Sequence, residues 1–295
     1  MTAKIIDGVA IAKLVRAEWK AHVDALRKRG VIPGLAVVIV GEDSASQIYV
    51  RHKVKACADI GIYSETHAFA TDASEQQVLN CIASLNANPA VHGILVQLPL
   101  PARFQSERLL EAIDKEKDVD GFNLYNVGAL VAGETVFPPC TPFGVQCLLE
   151  YSNIPISGQN VVVVGASNVV GKPMAMLLMR KEATVAICHI KTRDLAQFTI
   201  LADILVVAAG VPNLITAPMV KTGAVVIDVG INRLQNGRLV GDVDFDAVRQ
   251  KASYITPVPG GVGPMTVTML LVNTIQSAER IAACAPSSKL ERAAV

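Results

Sequence analysis

The sequence predicts an α/β protein of two domains, the second built on a doubly wound parallel sheet. Three observations carry that expectation. Apolar runs rich in Val, Ile and Leu alternate with helical patterns, and in the second half they recur every ~20 residues, the rhythm of βα units. The composition is 51% hydrophobic but only 4% aromatic, which suits packed α/β layers rather than a barrel of aromatic-rich strands. Finally, Val161 to Val164 run straight into Gly165-Ala166-Ser167-Asn168-Val169-Val170-Gly171-Lys172-Pro173 and an apolar helix from Met174 to Met179. Four β-branched residues in a row mark a strand buried on both faces of a parallel sheet. A strand, a glycine turn and a helix together aim backbone N–H groups at whatever occupies the turn, which makes it a phosphate site. Ser167 stands where the second glycine of G-x-G-x-x-G would be, so a tight βα corner remains open as an alternative.

In chain order, Gly8 to Arg29 repeats Val9, Ile11, Ala12, Val15, Trp19, Val23 and Leu26 close to a 3.6 period and stops at Gly30. Leu35 to Val40 is a buried strand, Ser46 to Ile60 a helix stopped by Gly61, and His67 to Ala70 a short strand. Glu75 to Asn86 is a helix, Gly93 to Leu98 a buried strand, Ser106 to Ile113 a helix and Lys117 to Gly121 a turn. Pro138-Pro139-Cys140-Thr141-Pro142 is the candidate boundary, and a helix from Thr141 to Tyr151 leads onward. The second domain follows with strands at Val161 to Val164, Thr184 to Cys188, Ile204 to Ala208, Val225 to Val229 and Tyr254 to Thr256. Pro264 to Ala283 is a last apolar helix, and Ala285 to Val295 reads as a frayed tail.

Composition excludes several function classes. A formal net charge of +1 gives no basic face for nucleic acid or a membrane surface. The longest apolar run, Ile200 to Val211, is interrupted by Asp203 and falls short of a membrane span. The first residues, Met-Thr-Ala-Lys-Ile-Ile-Asp-Gly, do not have the pattern of a signal peptide. Six cysteines without C-x-x-C spacing and five histidines without an H-x-x-x-H pair argue against a zinc site and for reduced thiols in a cytoplasmic protein.

Four features can carry chemistry. Tyr49 and Lys53 lie four residues apart on one helix face, in a stripe that continues to Cys57 and Ile60 with Val50 and Val54 at its border. A lysine among apolar neighbours loses hydration, which favours the neutral amine and suits proton exchange; the alternative is a lysine that snorkels to water. Gln97 interrupts an apolar strand just before Leu98-Pro99, and must either face a ligand at the strand's carboxyl end or bond loop backbone. Asp120 can accept from donors of a heterocycle or form an Asx turn with Gly121. Pro257-Val258-Pro259-Gly260-Gly261-Val262-Gly263-Pro264 is dense enough in Gly and Pro to bring backbone close to a flat ligand.

Taken together these stretches resemble the bifunctional methylenetetrahydrofolate dehydrogenase/methenyltetrahydrofolate cyclohydrolase family. The resemblance rests on Tyr49 to Cys57, Val96 to Pro101, Lys117 to Phe122, Pro139 to Pro142, Val225 to Asn232 and Pro257 to Thr266, six motifs in the family's order. It implies a folate-binding catalytic domain of residues 1–140 plus 265–295, a Rossmann-like dinucleotide-binding domain of residues 141–264, and a folate cleft between them. Lys53 is then the catalytic lysine, Gln97 its tuning partner, Tyr49 a stacking and positioning group and Asp120 an anchor for the pterin. Val96, Leu98, Pro259, Gly260, Gly261, Val262 and Gly263 would line the folate. Gly165, Ala166, Ser167, Gly171, Ile190, Ile231 and Thr266 would hold the dinucleotide. The implied chemistry is hydride transfer from 5,10-methylenetetrahydrofolate to NADP, then hydrolysis of the methenyl product to 10-formyltetrahydrofolate, in a homodimer with no metal.

Three positions depart from the family pattern. Ser44 replaces a usual proline ahead of the lysine helix, with Ala45 and Ser46 retained. Ala166 stands where arginine is usual and Ile190 where serine is usual, and neither can donate a side-chain hydrogen bond to a 2′-phosphate. Lys191 and Arg193 follow closely, so NADP remains the expected cofactor with NAD as the alternative. A dehydrogenase with a drifted hydrolytic step, and a non-catalytic folate- or nucleotide-binding relative, are the competing readings; retention of Lys53 argues against the second. A fused formate–tetrahydrofolate ligase is not expected, given the length and the lack of G-x-x-x-x-G-K-[ST].

Overall fold

A computed structural model describes residues 2–284. In chain order the elements are β1 (Lys4–Ile5), α1 (Gly8–Lys28), β2 (Gly34–Val40), α2 (Ser44–Ile60), β3 (Tyr63–Phe69), α3 (Glu75–Ala87) and β4 (Gly93–Val96). Then follow α4 (Ser106–Glu111), α5 (Leu124–Ala132), α6 (Cys140–Tyr151), β5 (Asn160–Val164), α7 (Gly171–Arg180), β6 (Thr184–Cys188), α8 (Leu195–Thr199) and β7 (Ile204–Val207). The last are β8 (Val225–Asp228), β9 (Asn232–Arg233), β10 (Leu239–Val240), α9 (Phe245–Arg249), β11 (Tyr254–Ile255) and α10 (Val262–Cys284). The expected frayed tail, Ala285 to Val295, lies outside the described residues. No described helix is long and apolar enough to cross a membrane.

The chain divides into two units. The first comprises Met1–Val15 and Asn126–Met269. Its sheet has the order β1-β11-β8-β7-β5-β6, and every pairing in it is parallel. Parallel sheets covered on both faces need apolar residues at every position, and Val161 to Val164 are all buried. From β5 the chain passes to β6 on one side, then returns past β5 to β7 on the other. The order therefore reverses between β5 and β7, the crevice where doubly wound sheets bind ligands at their carboxyl edge. Val162, Val164, Leu205, Val207, Val226 and Ile255 form part of its core.

The second unit comprises Arg16–Tyr125 and Leu270–Val295. Its three-stranded parallel sheet, β3-β2-β4, is centred on Gly34–Val40, all seven residues of which are buried. Leu35 pairs with Gly93 and Val38 with Val96, so β2 and β4 run in register toward the same end. Helix α3 starts with a full capping box, in which Ser74 and Gln77 each accept from the other's backbone N–H.

The sequence expectations differ from this architecture at several points. Contacts group the chain into units that meet between Tyr125 and Asn126 and between Met269 and Leu270, where the sequence reading sets its boundaries at residues 140 and 141 and at 264 and 265. The first 15 residues join the larger sheet because Lys4 and Ile5 pair in parallel with Tyr254 and Ile255. A two-residue strand has too little pattern to be read from sequence. Strand β3 is Tyr63–Phe69 rather than His67 to Ala70; it stands at a sheet edge, and its polar residues hide the strand signal. Strand β4 ends at Val96, although the Gln97 N–H still bonds Val38 O at 2.9 Å. Pro99, which has no N–H, then follows a cis Leu98–Pro99 bond.

Candidate active site

Helix α2 is started by Asp43, whose carboxylate accepts from the Ser46 N–H at 2.7 Å. Gly61 ends it at φ 89°, a left-handed conformation that favours glycine. Between these caps, Tyr49, Lys53 and Cys57 share a face. Lys53 is only 8% exposed, and its Nζ donates to Gln97 Oε1 at 2.9 Å. The other end of the amide is also fixed: Gln97 Nε2 donates to Leu98 O at 2.6 Å. Of the two sequence readings of Gln97, bonding to loop backbone describes its Nε2, while its Oε1 is taken by Lys53. Burial pushes the Cys57 thiol up to about 12, against a hydrogen bond from Ser64 and the charge of Lys53. Burial also raises the Tyr49 phenol above its usual range. The stripe is thus desolvated along its length, with Lys53 as its cation. Val96 is buried and Leu98 half-buried beside Gln97.

Asp120 lies in the loop that follows an isolated parallel bridge between Ile94 and Asp118. The Asx turn is made by Asp118, which accepts from Gly121 N at 3.2 Å and Asn123 N at 2.8 Å and is 1% exposed. Asn273 on α10 donates to Val119 O at 2.8 Å, and Ser277 donates to Glu116 O at 2.8 Å. Lys117 is buried, and its ammonium donates to the carbonyls of Leu85, Asn86 and Asn88 at 3.1, 2.7 and 2.8 Å, closing the C-terminus of α3. The loop carrying Asp120 is held from both sides, and Asp120 itself is half-buried.

The first unit holds the remaining candidates. Gly165 follows β5 at φ 122°, and a Cβ there would sit 2.2 Å from Ala208 O. A Cβ on Gly171 would sit 1.9 Å from Gly165 O. The turn is thus packed against the residue that follows β7, at the reversal in strand order, and only glycine allows this approach. Ser167 Oγ accepts from the N–H groups of Val170 and Gly171 at 3.1 and 3.4 Å, which holds the turn that leads into α7. Pro173 sits inside the first turn of that helix, where its missing N–H costs nothing. The Lys172 N–H also bonds Ser167 O at 3.1 Å, so the first N–H groups of α7 are engaged within the turn, and what the helix offers a dinucleotide's phosphates is the positive end of its dipole. Ala166 is half-buried, and Ile190 is 95% exposed in the turn after β6.

Ile231 is 46% exposed, one residue before β9. Thr266 is half-buried on α10, where its Oγ1 lies 3.0 Å from Thr141 Oγ1 and 3.5 Å from Val262 O, so its hydroxyl is already engaged. Pro259 follows a cis bond, Gly260 has φ 106°, and a Cβ on Gly8 would meet Gly261 O at 1.8 Å. The segment Pro259-Gly260-Gly261-Val262-Gly263 is therefore tightly packed backbone leading into α10, with Val262 buried and Gly263 half-buried.

Two carboxylates went unrecognised in the sequence. Asp228 closes β8 and is 3% exposed, yet it accepts from the N–H groups of Gly230, Asp242 and Val243, each at 3.0 Å. Desolvation pushes its carboxyl up to about 6, against the pull of those bonds. Asp242 is fully buried and accepts from Ala209 N, Gly210 N and Asn232 Nδ2 at 2.7, 2.8 and 2.8 Å. The signal was present: an acid ending an apolar strand needs a partner as much as Gln97 does.

Comparison with known proteins matches both halves of the chain. Residues 6–120 match the family described as tetrahydrofolate dehydrogenase/cyclohydrolase, catalytic domain. Residues 139–282 match the same family's NAD(P)-binding domain. A bifunctional protein FolD from Nitrosospira multiformis is 61% identical over 280 residues, covering 95% of this chain and 97% of that protein. The crystal structure of the bifunctional FolD dehydrogenase/cyclohydrolase from Campylobacter jejuni is similar with a TM-score of 0.93 at 49% identity, covering 94% of this chain and 99% of that one. The Trypanosoma brucei methylenetetrahydrofolate dehydrogenase-cyclohydrolase, solved with NADP and an inhibitor, has a TM-score of 0.93 at 41% identity over 97% of this chain and 100% of that one. Matched in order through both of its units, the chain belongs to the tetrahydrofolate dehydrogenase/cyclohydrolase family.

Proposed function

We propose that this chain oxidises 5,10-methylenetetrahydrofolate to the methenyl compound, with NAD(P) as hydride acceptor, and hydrolyses that product to 10-formyltetrahydrofolate. The observation that carries the reading is the buried Lys53 bonded to Gln97 at 2.9 Å. Hydrolysis needs a group that takes a proton from water as it attacks the methenyl carbon and returns one as the ring opens. Lys53 takes that role. Gln97 presents a dipole rather than a full charge, so it orients the amine without locking its proton in an ion pair. Tyr49, one turn earlier on the same face, stacks against and positions the pterin, and Asp120, on its braced loop, anchors it.

The bound dinucleotide supplies the hydride acceptor. Gly165, Ala166, Ser167 and Gly171 hold its pyrophosphate, and Ile231 gives it an apolar contact. Thr266, with its hydroxyl turned to Thr141, is the least favoured of the cofactor candidates. The same geometry supports a second reading of cofactor preference. With Ala166 and Ile190 offering no donors, the grip on a 2′-phosphate is weak, and NAD use approaches that of NADP. Free thiols throughout the chain fit a cytoplasmic enzyme. The assembly is a homodimer through the dinucleotide-binding unit, where β6 stands at the sheet edge with Ile187 and Met179 exposed.

The deciding experiment follows reduction of NAD and NADP side by side with methylenetetrahydrofolate, then loss of the methenyl absorbance without dinucleotide. Absence of both activities would refute the reading, and an NADP KM far below that for NAD would refute the cofactor argument. Light scattering that gave a monomer near 31.2 kDa would refute the dimer.

A further inference from the structure

We propose that Asp242 is a positioning residue for the dinucleotide, setting the wall of the crevice opposite the Gly165 turn; this rests on the reading of that crevice as the dinucleotide site. The crevice opens where the strand order reverses, so its two sides are the residues after β5 and those after β7. Gly165 and Ala208 touch across it. The next two residues, Ala209 and Gly210, both direct their N–H groups onto Asp242 Oδ2, at 2.7 and 2.8 Å. The other oxygen, Oδ1, accepts from the side chain of Asn232, the neighbour of Ile231, at 2.8 Å. One carboxylate therefore ties the backbone after β7 to the turn after β8.

Asp242 is itself held in place. Its own N–H donates to Asp228 Oδ1, and Asp228 also accepts from Gly230, at the start of the Ile231 turn. Space for the two carboxylates comes from glycines. A Cβ on Gly230 would lie 2.3 Å from Asp242 Oδ1, and one on Gly241 would lie 1.8 Å from Asp228 Oδ2. A buried anion is a costly acceptor for two backbone N–H groups that the sheet's own ladder does not use. What the anion achieves is to hold two donors on the crevice wall turned away from the ligand. Phosphate is then left to the α7 side alone.

The sign of the effect separates positioning from simple electrostatics. A buried negative charge near a phosphate ligand repels it, so removing the charge would tighten binding if charge were what mattered. If position matters, removal loosens it. In Asp242→Asn one oxygen gives way to an NH2. The two backbone N–H groups need the remaining oxygen, so the NH2 faces Asn232, whose amide must turn over to accept it, and that side of the wall shifts. The expected result is a rise of about tenfold in dinucleotide KM and in calorimetric Kd for NADP, with kcat at saturating dinucleotide changed less than threefold. Asp242→Glu, which keeps the charge at a different reach, should raise KM as well. An unchanged or lower KM in Asp242→Asn overturns the proposal, as does a loss confined to kcat. If Asp242→Asn does not fold, Asn232→Ala, at a half-buried position, must by itself raise KM several-fold or the proposal falls. Failure of the wild-type protein to bind either NAD or NADP would instead refute the dinucleotide site.

Discussion

Gln97 is held the one way round that presents its carbonyl oxygen to Lys53. Its Nε2 donates to Leu98 O at 2.6 Å, and Oε1 accepts from Lys53 Nζ at 2.9 Å. A glutamate would fit the same space but lack the donor for Leu98 and add a full charge. Lys53→Met should reduce methenyl hydrolysis by at least 100-fold, within the range for loss of a general acid–base group, while NADP binding by calorimetry stays within threefold. Gln97→Glu should keep the lysine but move the pH–rate profile for hydrolysis to higher pH, because an anion beside the ammonium holds its proton. Undiminished hydrolysis by Lys53→Met, or an unmoved profile in Gln97→Glu, would contradict the roles assigned to the pair.

The dinucleotide turn offers a gain-of-function experiment. Ala166→Arg combined with Ile190→Ser adds two donors where this chain has none. A charge-assisted bond from arginine to phosphate contributes about 1.5–3 kcal/mol, so the ratio of kcat/KM for NADP over NAD should rise at least tenfold. An unchanged ratio would mean that Lys191 or Arg193 already serves the phosphate.

Asp228 makes stability depend on pH in a stated direction. Its carboxyl lies at about 6 in the folded protein against 3.8 ordinarily. Between those values the folded state keeps a proton that the unfolded chain has released. Its contribution to stability is therefore complete below the lower value, declines as pH rises through about 6 and is level above. Asp228→Asn does not titrate. The difference in melting temperature, wild type minus variant, should shrink as pH rises from 4.5 to 7; a constant difference would show that Asp228 is not shifted upward.

Lys117 tests a structural contribution beside the site. Lys117→Met leaves the carbonyls of Leu85, Asn86 and Asn88 without their ammonium donor. The lost bonds exceed the relief of removing a partly desolvated charge, and a net cost of about 2 kcal/mol is expected, read as a lower urea midpoint. A midpoint equal to wild type would show that water replaces the lysine.

How much of this was legible in the sequence follows from how local each signal is. Val161 to Val164 and Gly34 to Val40 stand out because burial on both faces demands apolar residues without a break. The edge strand Tyr63–Phe69 shows only its last residues in the sequence, since exposure allows Ser, Glu, Thr and His. Lys4 and Ile5 gave no signal, because what makes them a strand is Tyr254 and Ile255. At the site, Lys53 and Gln97 were each suspicious alone, but their bond spans 44 residues and only the fold brings the two atoms together. Asp228 shows in the sequence only as an acid closing an apolar strand and Asp242 only as an acid after a glycine; that both are buried and bonded to each other's segment is a tertiary fact.

The pairing of β1 with β11 also dictates an order of events in synthesis. Ile5 emerges among the first residues, and its partner Ile255 is translated roughly 250 residues later. At ribosomal rates of about 5–20 residues per second, the N-terminal strand waits roughly 12–50 seconds for the edge it completes. Throughout that interval the larger sheet can assemble only as far as β8, with that strand's outer side unprotected on the nascent chain. Completing this side of the sheet therefore waits for β11, and a product truncated ahead of it would display the open edge that invites aggregation.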